Sequence, residues 1–221
     1  MEGKPDKKNL SPRIEHSLLR PDASEKELRR LCEEAKRFGF GAVCINPFYV
    51  PLAVTQLEGT DTKVCSTVAF PMGAATLQTK VFETKQAIEN GAKEIDFVIN
   101  FSNVRNKYFD KVQEEISAVQ FHCFQKNIIL KAVLEMSLMT KGEVRELCRI
   151  CAEVKVNFVK TCSGYLGGEA NPHSVGFLRE LLPLSIGIKA AGSIRTYKQA
   201  MLMINAGASR IGSSSGVRIV K

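Results

Sequence analysis

Short apolar runs alternate with longer amphipathic segments from one end of the chain to the other. Runs at 13–17, 42–46, 63–70, 94–100, 128–135, 157–161, 186–190 and 209–213 are short, rich in Val, Ile and Phe, and predict strands. Between them the stretches 24–38, 49–57, 76–90, 107–125, 141–154, 172–181 and 196–206 repeat their apolar residues at helical spacing. Ser24, with Glu27 three residues on, has the form of a capping box, and Pro172 after Asn171 suits a first helical turn. Eight strands, seven intervening helices and a terminal stub are the count of a closed (β/α)8 TIM barrel of the α/β class. No linker interrupts the pattern, so one domain is expected over 13–221, after a flexible segment at 1–12.

A weak repeat gives the strands a common frame. Residues 39–44, 91–96 and 207–212 each begin with Gly at a helix end and run through a short turn into an apolar strand. Residues 155–160 fit the same frame without the glycine. Their sixth positions are Cys44, Asp96, Lys160 and Gly212, on strands two, four, six and eight. Interior layers of such barrels are built from alternate strands. The frame therefore places Asp96 and Lys160 in one layer near the strands' C-terminal ends, with Lys189 and Lys131 in a neighbouring layer.

Lys160 and Lys189 each close an apolar run and are each followed by small residues, Thr161-Cys162-Ser163-Gly164 and Ala190-Ala191-Gly192-Ser193. An ammonium at a buried strand end is expensive to desolvate. A single such lysine reads most simply as one that snorkels to water. Two, one strand–helix–strand unit apart, put like charges together in a low-dielectric pocket. That arrangement lowers a lysine pKa and yields an amine nucleophile at neutral pH. Asp96 beside them supplies a counter-ion and a group able to move a proton.

Composition narrows the setting. The 221 residues are 44% hydrophobic and 24% charged, with no Trp, and no apolar run approaches the ~20 residues needed to span a bilayer. The net charge of +8 is scattered along helices without interleaved aromatics, which disfavours a nucleic-acid surface and suits a small anionic substrate. The polar start lacks the apolar stretch of a signal peptide, and an odd count of seven cysteines argues for free thiols in a reducing compartment, so a cytosolic protein is expected. Cys148 and Cys151 form a C-x-x-C pair, but inside a helical pattern and with no partner ligands nearby. His16 lies on the first strand and His122 and His173 on helices, where a packing or surface role suffices.

At these residues the chain resembles the deoxyribose-phosphate aldolase family over about 14–217. The likeness runs through Ile14-Glu15-His16-Ser17, Val43-Cys44-Ile45-Asn46-Pro47, Phe70-Pro71-Met72-Gly73, Val81-Phe82-Glu83-Thr84-Lys85 and Glu94-Ile95-Asp96-Phe97. It continues through Phe158-Val159-Lys160-Thr161, Lys189-Ala190-Ala191-Gly192-Ser193-Ile194-Arg195-Thr196 and Arg210-Ile211-Gly212. The resemblance implies a Schiff-base aldolase that reversibly cleaves 2-deoxy-D-ribose 5-phosphate to D-glyceraldehyde 3-phosphate and acetaldehyde. In it Lys160 would form the Schiff base, Lys189 would hold the Lys160 pKa down, and Asp96 would relay a proton through a water. No cofactor or metal would be needed, since the iminium is the electron sink, and a homodimer would be expected.

Loops after strands seven and eight of such barrels often hold phosphate. This marks Gly192, Ser193, Gly212, Ser214 and Ser215, with Ser17 and Lys131 as further substrate contacts. The chain departs from the family at Glu15 (usually Asp), Ser17 (usually Thr), Cys162-Ser163 (usually Ser-Thr) and Ser193 (usually Gly). Bulk at Glu15, Cys162 or Ser193 would be expected to crowd the substrate. A Schiff-base aldolase for another sugar phosphate, or a weakly active sugar-phosphate-binding barrel, stays open at this point.

Overall fold

The computed structural model describes residues 7–221. Eight parallel strands close in sequence order into a barrel: β1 (Ile14–Leu18), β2 (Ala42–Ile45), β3 (Lys63–Val68), β4 (Glu94–Val98), β5 (Ile129–Val133), β6 (Phe158–Lys160), β7 (Gly187–Ala191) and β8 (Arg210–Ser213). The barrel is the (β/α)8 architecture expected from the alternation of runs. Helices cover its outside: α1 (Lys7–Leu10), α2 (Glu25–Phe38), α3 (Val50–Gln56), α4 (Leu77–Glu89), α5 (Phe101–Arg105), α6 (Phe109–Gln125), α7 (Lys141–Val154), α8 (Pro172–Leu181), α9 (Tyr197–Asn205) and α10 (Gly216–Val220).

Local chemistry explains the helix ends. Ser24 and Glu27 form the expected capping box on α2, and Thr140 with Glu143 and Thr196 with Gln199 do the same for α7 and α9. Leu28, Leu31, Cys32 and Ala35 on α2 recur at helical spacing and are all buried against the barrel. The repeat frame has a backbone cause. Gly39, Gly91 and Gly207 take positive φ where the chain leaves a helix for a strand, and Lys155, at φ 59°, takes the same left-handed cap without being glycine.

Two expectations are corrected. The folded part begins before residue 13, because 7–10 and 11–13 are helical and Leu10 is packed in the core; residues 1–6 of the expected flexible segment lie outside the described residues. The helix expected at 107–125 begins instead at Phe109, after a separate short helix, α5, capped by the Asn100 side chain on Ser102 and Asn103 N–H.

Strand β4 shows how the sheet separates its two faces. All five of its residues are buried. Phe97 faces outward, with Lys80 Nζ of α4 5.0 Å from its ring centroid. Glu94 and Asp96 face the barrel interior, where they meet basic side chains from four other strands.

Candidate active site

Three lysines from three consecutive strands converge on one carboxylate. Asp96 Oδ2 accepts hydrogen bonds from Lys160 Nζ at 2.8 Å and Lys189 Nζ at 2.7 Å, while Oδ1 accepts from Lys131 Nζ at 3.1 Å. The strand register brings them there: Lys131 is paired with Asp96, and Lys189 with Lys160. The side chains thus close the gap between the two layers that the repeat frame separates. Beneath them Lys131 also meets Glu94 at 2.6 Å and Glu15 at 3.2 Å, Lys189 bonds Glu15, and Arg210 reaches Glu94 at 3.1 Å and Glu15 at 3.5 Å. Four cations therefore face three carboxylates in a water-poor interior.

Burial raises the Asp96 carboxyl, but Lys131, Lys160 and Lys189 together pull it well below the usual carboxylate range. Glu15 likewise lies below its ordinary value, because Lys131 and Lys189 outweigh its burial. Burial lowers Lys131 and Lys189, yet their carboxylate partners, Asp96 first, carry both above the ordinary lysine value. Both hold their charge at neutral pH.

Above this network opens a cavity of about 520 Å³ at the C-terminal end of the barrel, where Lys160, Lys189 and Cys44 form its floor. Ser17, Gly192, Ser193, Gly212 and Ser214 line it, as the sequence suggests. Ser193 lies at φ 57°, a left-handed conformation that favours glycine, which accounts for a second glycine at this place in the family pattern. Its side chain is exposed at the mouth. His16 lies at the cavity edge with Nε2 2.9 Å from Glu34 Oε2.

Other expectations change. Lys131 is fully buried under Asp96 and lines no part of the cavity, so it belongs to the ion network and not among the substrate contacts. Ser215 is partly buried beside the cavity rather than in its lining, and its N–H donates to Ser213 Oγ at 2.9 Å. Glu15 does not crowd the substrate space, because its carboxylate turns down onto Lys131 and Lys189. Cys162 faces away too, donating to Ala191 O at 2.8 Å and lining a separate cavity of about 200 Å³.

The sequence reading assigned no role to Phe70, Tyr165, Glu94 or Arg210. Lys160 Nζ lies 5.3 Å from the centroid of the Phe70 ring, and Tyr165 meets that ring edge-on at 5.6 Å. The pair forms an aromatic wall over the amine. Phe70 was visible only as part of a Phe-Pro-Met-Gly motif, which carries no directional information. Glu94 and Arg210 occupy positions that alternate inward with Asp96 and Gly212, and that period-two spacing was the available signal.

The family model that matches this chain, over residues 14–221, describes a DeoC/LacD family aldolase. The chain belongs to that family. Among relatives of this aldolase, the deoxyribose-phosphate aldolase of Clostridium tetani is 45% identical over 208 residues, 94% of this chain and 96% of its own. That of a Geobacillus species is 43% identical over 96% and 95%. Among solved structures, the deoxyribose phosphate aldolase of Aeropyrum pernix, described as tetrameric, superposes with a TM-score of 0.91 at 32% identity, covering 97% of this aldolase and 90% of that chain. Among the described residues no helix is long and apolar enough to cross a membrane.

Proposed function

We propose that this aldolase works through a Schiff base on Lys160 and reversibly cleaves 2-deoxy-D-ribose 5-phosphate to D-glyceraldehyde 3-phosphate and acetaldehyde. The observation that carries the reading is the position of Lys160 Nζ, at the cavity floor, under Phe70 and 2.8 Å from an oxygen of Asp96 that Lys189 shares. The network sets four cations against three carboxylates, so its basic side chains do not share their partners equally. Lys189 has both Asp96 and Glu15 as partners, whereas among the described residues Lys160 has Asp96 alone. Lys160, the lysine less engaged by carboxylates and facing the cavity under Phe70, is therefore the amine placed to attack an aldehyde carbon.

Loss of water from the carbinolamine leaves an iminium; as the C3 hydroxyl gives up its proton to water and becomes the aldehyde of glyceraldehyde 3-phosphate, the electrons of the C2–C3 bond move into that iminium. The resulting enamine takes a proton at C2, and water then hydrolyses the iminium so formed to acetaldehyde and the free lysine. The hydrogen-bonded pair of Asp96 and Lys189, with a water between it and the substrate, is suited to pass that proton. Gly192, Ser193 and Ser214 at the cavity mouth hold the phosphate, consistent with the substrate named for the Clostridium tetani and Geobacillus relatives. On this reading the protein works in the cytosol as a homodimer.

Reduction with borohydride in the presence of acetaldehyde should add an ethyl group to Lys160, with no labelling in Lys160→Ala. Folded wild-type protein that stays unlabelled would sink the Schiff-base reading. Release of D-glyceraldehyde 3-phosphate, followed in a coupled assay, tests the substrate against other sugar phosphates.

A further inference from the structure

Two of the seven cysteines stand apart from the rest. Cys44 and Cys65 are register partners on the adjacent parallel strands β2 and β3, and both side chains point into the barrel. Their sulfurs lie within 4.8 Å of each other, and both thiols donate to the Asp96 carboxylate. Cys44 Sγ lies 3.5 Å from Asp96 Oδ2, and Cys65 Sγ lies 3.2 Å from both Asp96 Oδ1 and Lys131 Nζ. The proposed aldol chemistry uses neither sulfur.

The aldolase carries, we propose, a dithiol modification site at the cavity floor, where a hydroperoxide closes Cys44 and Cys65 into a disulfide and switches catalysis off. Access is ordered, since Cys44 lines the cavity whereas Cys65 is fully buried behind it. The chemistry is ordered as well. Proximity to Cys65, Lys189 and Lys160 lowers the Cys44 thiol against its burial and the Asp96 charge, while burial, Cys44 and Asp96 raise Cys65. Cys44, which lines the cavity, is thus the thiol that meets the oxidant, and Cys65 behind it resolves the product. Neighbouring parallel strands lie ~4.8 Å apart, within the ~4.4–6.8 Å Cα separation that a disulfide bridges.

The other cysteines lack this setting. Burial pushes Cys32 up to about 11 and Cys123 and Cys148 up to about 12, and all three lie on helices outside the barrel. Two thiols with the carboxylates of Glu15 and Asp96 also make a donor set that could hold a soft divalent ion. The ammonium of Lys131, 3.1 Å from Asp96 Oδ1 and 3.2 Å from Cys65 Sγ, already stands where such an ion would sit. Reaction of the sulfurs with each other remains.

The steps balance. Cys44 gives up its proton and attacks one oxygen of hydrogen peroxide, the O–O bond breaks, and that proton completes the departing water. Sulfur has lost two electrons and is a sulfenic acid. Cys65 then attacks that sulfur, the S–S bond forms as the S–O bond breaks, and the hydroxyl leaves with the Cys65 proton as a second water. Closure draws both sulfurs off Asp96 and disturbs the carboxylate that Lys160 and Lys189 share.

The full-length protein is treated with hydrogen peroxide, blocked with an alkylating agent and digested with trypsin. The expected product is peptide 38–63 joined to peptide 64–80, two hydrogens lighter than their sum. Aldolase activity should fall at least about tenfold in step with that product and return on addition of dithiothreitol. In Cys65→Ala, checked for folding by circular dichroism, the joined peptide should be absent and dimedone should tag Cys44. Either of two results overturns the site: both thiols still alkylated after peroxide, or dimedone on wild-type Cys44 with no joined peptide. Quantitative joining with activity unchanged overturns the switch. The peptide measurement requires no substrate, so it stands apart from the test of the aldol reaction.

Discussion

Gly212 is held to glycine by Lys189. A Cβ at residue 212 would lie 2.9 Å from Lys189 Cε and 3.2 Å from Ala191 Cβ, so the arm of the lysine occupies the space that any other residue would fill. The glycine noted in the sequence for phosphate therefore also clears the path by which Lys189 reaches Asp96. Gly212→Ala is expected to displace the lysine. The overpacking should cost about 1–3 kcal/mol of stability, and a shift of the ammonium on the order of 1 Å should lower kcat by up to ~100-fold. Urea unfolding together with steady-state kinetics checks both, and a variant with wild-type kcat would refute the steric account.

Lys131 holds three carboxylates together in the barrel interior. Removing its charge in Lys131→Met leaves Glu15, Glu94 and Asp96 with Lys160, Lys189 and Arg210, and takes from Asp96 Oδ1 its lysine partner. Breaking a buried ion network on one side typically costs ~3–5 kcal/mol. The midpoint of denaturant unfolding should fall accordingly. A change below about 1 kcal/mol would mean that the surplus of positive charge in the interior is itself destabilising, and that Lys131 adds to it.

The barrel was legible because its signal is repeated eight times. Apolar runs of similar length, separated by helical periods, leave little choice of architecture, and the left-handed cap at Lys155 shows why the repeat frame survived the loss of its glycine. Lys160, Lys189 and Asp96 were legible because a charge inside an apolar run contradicts its surroundings. Side-chain direction was less accessible. Glu15 and Cys162 were expected to crowd the cavity, yet one turns beneath it and the other behind the β6 loop. A one-dimensional pattern gives the face on which a residue lies but not where a flexible arm ends. Phe70 was missed for a related reason: it follows Ala69, whose φ of 52° redirects the chain after β3.

The loop after Lys160 is fastened by Glu135. This carboxylate is fully buried, on a residue at φ 51°, and accepts the Ser163 N–H at 2.8 Å, while Met136 N–H donates to Thr161 O at 2.9 Å. Glu135→Gln keeps an oxygen acceptor and should retain most activity. Glu135→Ala leaves the buried Ser163 N–H without that partner, a penalty of about 1–3 kcal/mol. Its kcat/KM should drop roughly tenfold, which corresponds to ~1.4 kcal/mol. Equal losses in the two variants would show that charge, and not the hydrogen bond, secures the loop.

The interior network fixes the pH range of stability. Asp96 lies well below its ordinary 3.8, so it stabilises the fold fully above that value and loses its contribution as pH falls toward its native titration. Lys131 and Lys189 lie above their ordinary 10.5, so their contribution is complete below that value and declines as pH rises past it. The urea midpoint should be nearly flat between these limits, as far as this network determines it, and fall on either side. A midpoint that rises as pH is lowered from 5 to 3 would contradict the assignment of Asp96 as a stabilising anion.

Ser214 is exposed at the cavity mouth, across from Ser193 and Gly192. If the phosphate of the substrate lies there, Ser214→Glu places a carboxylate close to a group bearing up to two negative charges. At ~5 Å and an effective dielectric near 20, each pair of unit charges repels by about 3 kcal/mol before screening. The KM for 2-deoxyribose 5-phosphate should rise by at least about tenfold, and the defect should shrink as salt is added. The same substitution should leave KM for unphosphorylated 2-deoxyribose almost unchanged, because no charge is present to repel. Comparable increases for the two sugars would indicate that Ser214 acts on the shape of the mouth, and would move the phosphate site elsewhere in the cavity.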